Sequence, residues 1–227
     1  MGTAERPIFG IRPTGFFGEK SSANRQALNT AVEVLNTAVE AERLEFDVVF
    51  VGDRLLAKAH SDSGMSVYQA TTLEPFVFLA TIAGMTERIR LAPLVAVVPF
   101  RHPAYIAKLT ASLDVVSGGR FIFGAGSGWS DPELRMFDID RRRRGSQMEE
   151  GIEIVRHLWT GEPVTYDGEF WQLEEISVRP RPLQDPGPPV WLGSFSPDDA
   201  VTWSGAFSDG QLRSLRRVGR IADGWHH

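Results

Sequence analysis

Cysteine is absent from this 227-residue chain, which excludes disulfides, thiolate metal sites and a thiol nucleophile. Histidine is sparse, at five residues, and none has ligand-like spacing to carboxylates, so a metal site is not expected. No apolar run approaches the roughly 20 residues that span a bilayer. The N-terminus has no basic-then-apolar signal pattern, and a cytoplasmic protein without a membrane partner is expected. An excess of positive charge is lacking as well. With a net charge of −5, neither nucleic acid nor an anionic membrane is an expected partner. The single basic cluster, Arg141 to Arg144, reads as a solvated helix start. His102, in a Pro-Phe-Arg-His-Pro turn, reads equally as a rigid loop residue or a ligand contact, and His157 as a surface or packing residue in mid-helix.

What the chain does have is alternation. Strands are expected at Pro7 to Ile11, Asp47 to Val51, Ile89 to Val98, Phe121 to Phe123 and Pro189 to Leu192, with the start of a sixth near Ala222 to Trp225. Between them, helical spacing runs through Leu28, Val32, Leu35 and Val39, through Leu73 to Met85, and through Pro103 to Val116 with Ile106, Leu109, Leu113 and Val116 on one face. It recurs at Met148, Ile152, Val155 and Trp159, ending at Thr160-Gly161. Pro163, Gly168, Pro180, Pro182, Pro186, Pro188 and Pro189 within about 162 to 189 predict loop or a short antiparallel hairpin there. Gly118-Gly119 can take the left-handed turn that stops a helix.

Strand-helix repetition implies parallel strands with helical crossovers. An open doubly wound sheet would carry its glycine fingerprint after the first strand. Here Gly124, Gly126 and Gly128 follow the fourth, where a missing Cβ lets a flat ligand or a phosphate approach the backbone. Polar or glycine-rich features recur after four strands: Asp53, Pro99 to Pro103, Gly124 to Trp129, and Gly193 to Ser196. That recurrence favours a (β/α)8 barrel. Only five or six strands fit, so the barrel is expected to be incomplete, truncated or completed by a partner.

The blocks AERLEFDVVFVGD (41–53), LEPFVFLATIAGMTERIRLAPLVAVVPFRHP (73–103), AKLTASLDVVSGGRFIFGAGSGW (107–129), MEEGIEIVRHLWTGEPVTYDGEFW (148–171), PLQDPGPPVWLGSFSP (182–197) and GRIADGW (219–225) occur in order. On these the chain resembles the bacterial luciferase-like family of flavin-dependent oxidoreductases. The resemblance implies one (β/α)8 barrel domain over 1–227, with a Pro-rich insertion at about 162–189, an extra stretch at about 198–218, and C-terminal strands missing. It implies FMN or coenzyme F420 at the C-terminal mouth. The Thr-Glu-Arg-Ile-Arg-Leu and Ser-Gly-Gly-Arg blocks lean modestly toward F420. Leu94 and Val95 match a bulged strand with a non-proline cis peptide supporting the ring. Gly126, Ser127, Gly128 and Trp129 match a loop that contacts the cofactor, and Gly193, Ser194 and Ser196 a phosphate-binding turn.

The departures are informative. The family's usual Asp-His pair is Asp53-Arg54 here, the candidate catalytic pair, and an arginine cannot shuttle protons as a histidine does. Phe195 replaces a glycine often found in the phosphate turn. The expected activity is hydride transfer with F420, or monooxygenation with reduced FMN and oxygen, on a small organic substrate, by a homodimer. The alternative is a non-catalytic flavin-binding or assembly protein, or an inactive truncated homologue. A cofactor-free hydrolase lacks any nucleophile–base pair.

Overall fold

Proline sets where two of the helices begin. Pro75 opens α2 (Pro75–Met85) behind Glu74, whose carboxylate accepts from the Val77 N–H at 2.8 Å. Pro103 opens α3 (Pro103–Val116) behind His102, whose Nδ1 accepts from the Ala104 N–H at 3.2 Å. In each case the ring occupies the first helical position, where no intrahelical N–H bond is lost, and a side chain caps an orphan donor. His102 is thus a helix cap.

The computed structural model describes residues 8–12, 23–55, 73–193 and 209–226. The other elements are β1 (Gly10–Ile11), α1 (Ala23–Arg43), β2 (Val48–Val51), β3 (Arg90–Pro93), β4 (Ala96–Val97), β5 (Phe123–Gly126), α4 (Asp131–Met136), α5 (Arg144–Trp159), β6 (Val164–Asp167), β7 (Gln172–Ile176), β8 (Val190–Gly193), α6 (Asp209–Ile221) and β9 (Gly224–His226). Among them no helix is long and apolar enough to cross a membrane.

The strands pair in parallel as β1-β2-β3 and β4-β5-β8-β9, and a parallel bridge between Leu91 and Phe121 joins the two sets. This is part of a (β/α)8 barrel, with β1 and β9 as the edges among the described strands. Alternation along each strand divides the side chains between two cores. Val49, Val51, Leu91, Phe121, Phe123, Ala125, Val190 and Leu192 face outward and pack under the helices. Val48, Ala92 and Ile122, with Phe50 and Trp191, fill the barrel interior. Fully burying a side chain such as Leu79 or Ile82 contributes about 2–3 kcal/mol.

Several expectations need correction. The run Ile89 to Val98 is not one strand: β3 stops at Pro93, the Leu94–Val95 peptide is cis, and β4 is followed by a 3-10 turn at Val98–Phe100. The fourth strand is displaced, because Gly124 and Ala125 pair with Trp191 and Leu192, and Gly126 with Val97. The glycine loop therefore starts inside the sheet. On α1 the core face is Val34, Ala38 and Ala41, while Val32 and Val39 are exposed, since small alanines let the helix sit close to the sheet. Val116 is exposed too, and Thr110, Ala111 and Asp114 complete the buried face of α3. The later part of the extra stretch is α6, the crossover that delivers β9 beside β8.

Other expectations match. Gly118 and Gly119 have φ of 68° and 81° and end α3. The Pro-rich segment holds the antiparallel hairpin β6-β7, tied to α5 by Glu150, which accepts from the N–H groups of Glu169, Phe170 and Trp171. His157 is exposed on α5, near Glu153.

Candidate functional site

Parallel strands put the residues that follow them on one rim. At the C-terminal ends of β2, β3, β4, β5, β8 and β9 lie Asp53 and Arg54, Leu94 and Val95, the segment Gly126 to Trp129, Gly193 and His226. Ser194 and Ser196 lie outside the described residues.

Asp53 is buried and fully engaged. Its Oδ2 accepts from the Val97 N–H at 3.0 Å and from Arg101 Nη1 at 2.6 Å, and its Oδ1 accepts from Arg101 Nη2 at 3.1 Å. Arg101 also reaches the cap of α2, with Nη2 donating to Glu74 Oε1 at 3.2 Å. Burial works against the Arg101 charge, yet the hydrogen bond and charge of Asp53, with those of Glu74, outweigh it and raise the guanidinium pKa above its ordinary value. The carboxylate thus clamps the end of β2 to β4 and the turn behind it. A bidentate pair of this kind fixes geometry as well as charge.

Arg54 is held differently. Its Nε is 3.5 Å from Oε1 of the buried Glu133, and its Cζ lies 4.8 Å from the centroid of a Trp129 ring. The same Glu133 oxygen accepts from the Leu55 N–H at 3.0 Å. One carboxylate on α4 therefore draws the loop after β2 against the loop after β5, and Arg54 is stacked between them.

The cis Leu94–Val95 peptide lies where the resemblance implies it. Val95 projects over the glycines of the neighbouring strands. A Cβ at Gly126 would stand 2.3 Å from Val95 Cγ2, and one at Gly193 would stand 3.0 Å from Val95 Cγ1. Glycine at 126 is accordingly required by Val95, and approach of a ligand is not needed to explain it. Val95 is half-buried, an apolar floor at the rim. Gly128 has φ 76°, and a Cβ there would meet Val97 Cγ1 at 2.9 Å, so the loop turns tightly onto β4.

Two residues that patterning assigned to solvent belong to this site. Arg144 Nε donates to Gly128 O at 2.9 Å, and Arg141 Nη1 donates to Trp129 O at 3.1 Å and pairs with Asp131. Burial, with the nearby charge of Arg141, lowers the Arg144 pKa. Arg143 pairs with Glu169 and lies over Phe170, 4.6 Å from its centroid. The basic cluster is thus the clasp that holds the loop after β5. Its targets are distant backbone carbonyls, which leave no trace in a local pattern. Among the described residues no group of three or more His, Asp or Glu side chains could hold a metal ion.

The family model for luciferase-like monooxygenase matches residues 13–227. The F420-dependent glucose-6-phosphate dehydrogenase of Microbacterium testaceum is 31% identical over 212 residues, covering 92% of this chain and 55% of that protein. The oxygenase component of the flavin-dependent trigonelline monooxygenase of Acinetobacter baylyi is 35% identical over 126 residues, 55% of this chain and 35% of that protein. The crystal structure of the monooxygenase RslO1 from Streptomyces bottropensis superposes with a TM-score of 0.71 at 29% identity, over 83% of this chain and 54% of the other. The chain spans about half the length of the curated relatives it matches.

Proposed function

Because the chain belongs to the luciferase-like monooxygenase family, we propose that it is an oxidoreductase that binds FMN or coenzyme F420 at the barrel mouth and acts on a small organic substrate. One observation carries this reading: Val95, seated over Gly126 and Gly193, makes an apolar floor between the Gly126–Trp129 loop and β9. Such a floor, with the polar atom His226 Nε2 buried at its edge and without a partner among the described residues, fits a flat heteroaromatic ring with polar edges. When bound, the cofactor supplies hydride transfer or, reduced and with oxygen, monooxygenation.

The chain's own residues divide the remaining work. Val95 would back the ring, and the loop Ser127 to Trp129, clasped by Arg141 and Arg144, would border it. Gly193, with Ser194 and Ser196 from the sequence, would face a phosphate. Asp53 has both carboxylate oxygens occupied and so acts as a positioning residue. Arg54, with its guanidinium, would complement negative charge on a reduced ring or a substrate. Neither offers a transferable proton, which favours, as a second reading, a chain that binds flavin without turnover. A homodimer in the cytoplasm completes the proposal.

The choice between F420 and FMN stays open within this reading. The Thr-Glu-Arg-Ile-Arg-Leu and Ser-Gly-Gly-Arg blocks meet at the opposite end of the strands, where Arg120 Nη1 donates to Thr86 Oγ1 at 2.9 Å, so their resemblance speaks of scaffold. The test is anaerobic titration of the chain with FMN and with F420, oxidised and reduced, followed by absorbance and fluorescence quenching. Saturable one-to-one binding of one cofactor is expected. Binding without any redox turnover would favour the second reading, and binding of neither would overturn both.

A further inference from the structure

β9 runs parallel to β8, with Gly193 opposite His226. Alternation along β9 fixes the side-chain directions. A Cβ at Gly224 would meet Trp191 Nε1 at 2.5 Å inside the barrel, and Trp225 points outward with 46% of its surface exposed. His226 therefore faces inward at the mouth. Its Cε1 lies 3.0 Å from the Cβ position of Gly193, and its ring centroid lies 6.1 Å from that of Phe50.

The imidazole Nε2 is buried and has no hydrogen-bond partner among the described residues. Phe50 and Gly193, the described residues shown against the ring, carry no polar side-chain atom. Burial lowers the His226 pKa to about 4, so the ring is neutral at ordinary pH, with one nitrogen donating and the other accepting. Packing alone does not need a nitrogen here, and a buried polar atom left unsatisfied destabilises the fold. The mouth otherwise offers a carboxylate already engaged at Asp53, the Arg54 guanidinium against Glu133, and the Ser127 hydroxyl and Trp129 indole N–H of the loop after β5. Among these described rim side chains His226 is the imidazole, able to accept through one ring nitrogen while donating through the other.

We propose that His226 is a cofactor-binding residue: its imidazole gives Nε2 to a polar edge atom of the flavin or deazaflavin ring seated on Val95. A turn about Cβ–Cγ carries the nitrogen into the mouth. Solvent is excluded at that position, so the bond is made without competition from water. The proposal rests on the cofactor reading above.

The test is equilibrium titration of the full chain, parent and variants, with oxidised FMN and with oxidised F420, read by fluorescence quenching and by the absorption band of the bound ring. The melting temperature of each ligand-free protein is measured alongside. His226→Phe keeps an aromatic ring against Phe50 and removes Nε2, so binding should weaken roughly fivefold to tenfold. The band should move, and the ligand-free melting temperature should equal or exceed the parent's. His226→Gln brings an amide near the Nε2 position and should stay within about twofold of the parent. Unchanged affinity and band in His226→Phe would overturn the proposal. A lowered ligand-free melting temperature would overturn it too, making the imidazole a packing element. A parent chain that binds neither cofactor overturns the proposed function and this inference together, a result distinct from parent binding that His226→Phe leaves untouched.

Discussion

The two ends of the barrel use the same side chains to different effect. At the N-terminal end, Arg120 donates to Ala83 O, Thr86 O and Ile89 O at 2.9 to 3.0 Å, closing the gap between α2 and β3. Glu42 accepts from the N–H groups of Glu87, Arg88 and Ile89. Burial works to raise its pKa, but those donors outweigh it and hold the carboxyl below its usual range. A cavity of about 480 Å³ lies there, lined among others by Glu42, Phe46, Asp47 and Arg88, yet the Glu42 carboxylate on its wall is turned to backbone donors. At the mouth, Asp53 and Arg101 close on each other in the same way. The difference is what remains beside them, an apolar floor at Val95 and a buried Nε2 at His226 without a partner among the described residues. Concavity alone does not mark a site; groups that the fold leaves unsatisfied do.

The comparison breaks first at Asp53. Asp53→Ala leaves the largely buried Arg101 guanidinium without its carboxylate and should cost about 3–5 kcal/mol in urea denaturation. A loss under about 1 kcal/mol would mean that the clamp is ornamental. At the other end, Arg120→Ala takes a donor from four backbone carbonyls, those of Ala83, Thr86, Ile89 and Ser117, and should cost about 2 kcal/mol with cofactor affinity unchanged. A matching loss of affinity would deny that this end is scaffold only.

Gly126→Ala pushes a Cβ into Val95 and should cost about 1–3 kcal/mol. Adding Val95→Ala should recover part of that loss, and a double-mutant cycle with no coupling would contradict the contact. A further effect is a pH dependence. The His226 pKa in the fold, about 4, lies below an unfolded value of about 6.5. Between these the unfolded chain binds the extra proton, so stability falls as pH drops through that window and is whole above it. Phe50 and Gly193, the described residues against the ring, bring no charge of their own. His226→Phe should therefore lose this part of the slope, while the carboxylates' part below pH 5 persists in both proteins.

Much of the scaffold was legible in the residues. Parallel strands and crossovers follow from periodicity, and the bounds of α3 from its flanking Pro103 and Gly118-Gly119. The break after Pro93 was not legible without the resemblance, because an apolar run reads alike whether one strand continues or two meet. The buried face of α1 was misassigned because Val32 and Val39 outweigh Ala38 and Ala41 on any hydropathy scale, although the smaller residues permit the closer approach. The mouth was legible as a set of strand ends. Roles within it depend on long-range partners: Arg101 for Asp53, Glu133 for Arg54, and Gly128 O for Arg144. The inward placing of His226 has no local sequence signal, because only the register of β9 against β8 sets it.

The most direct test of the difference between the ends is hydrogen–deuterium exchange of the full chain with and without saturating cofactor, FMN and F420 in turn. Slower exchange is predicted at residues 95–98, 126–130 and 191–193, with no change at 86–91 and 117–121. Protection confined to the N-terminal end, or equal at both, would contradict the assignment of the mouth as the binding site.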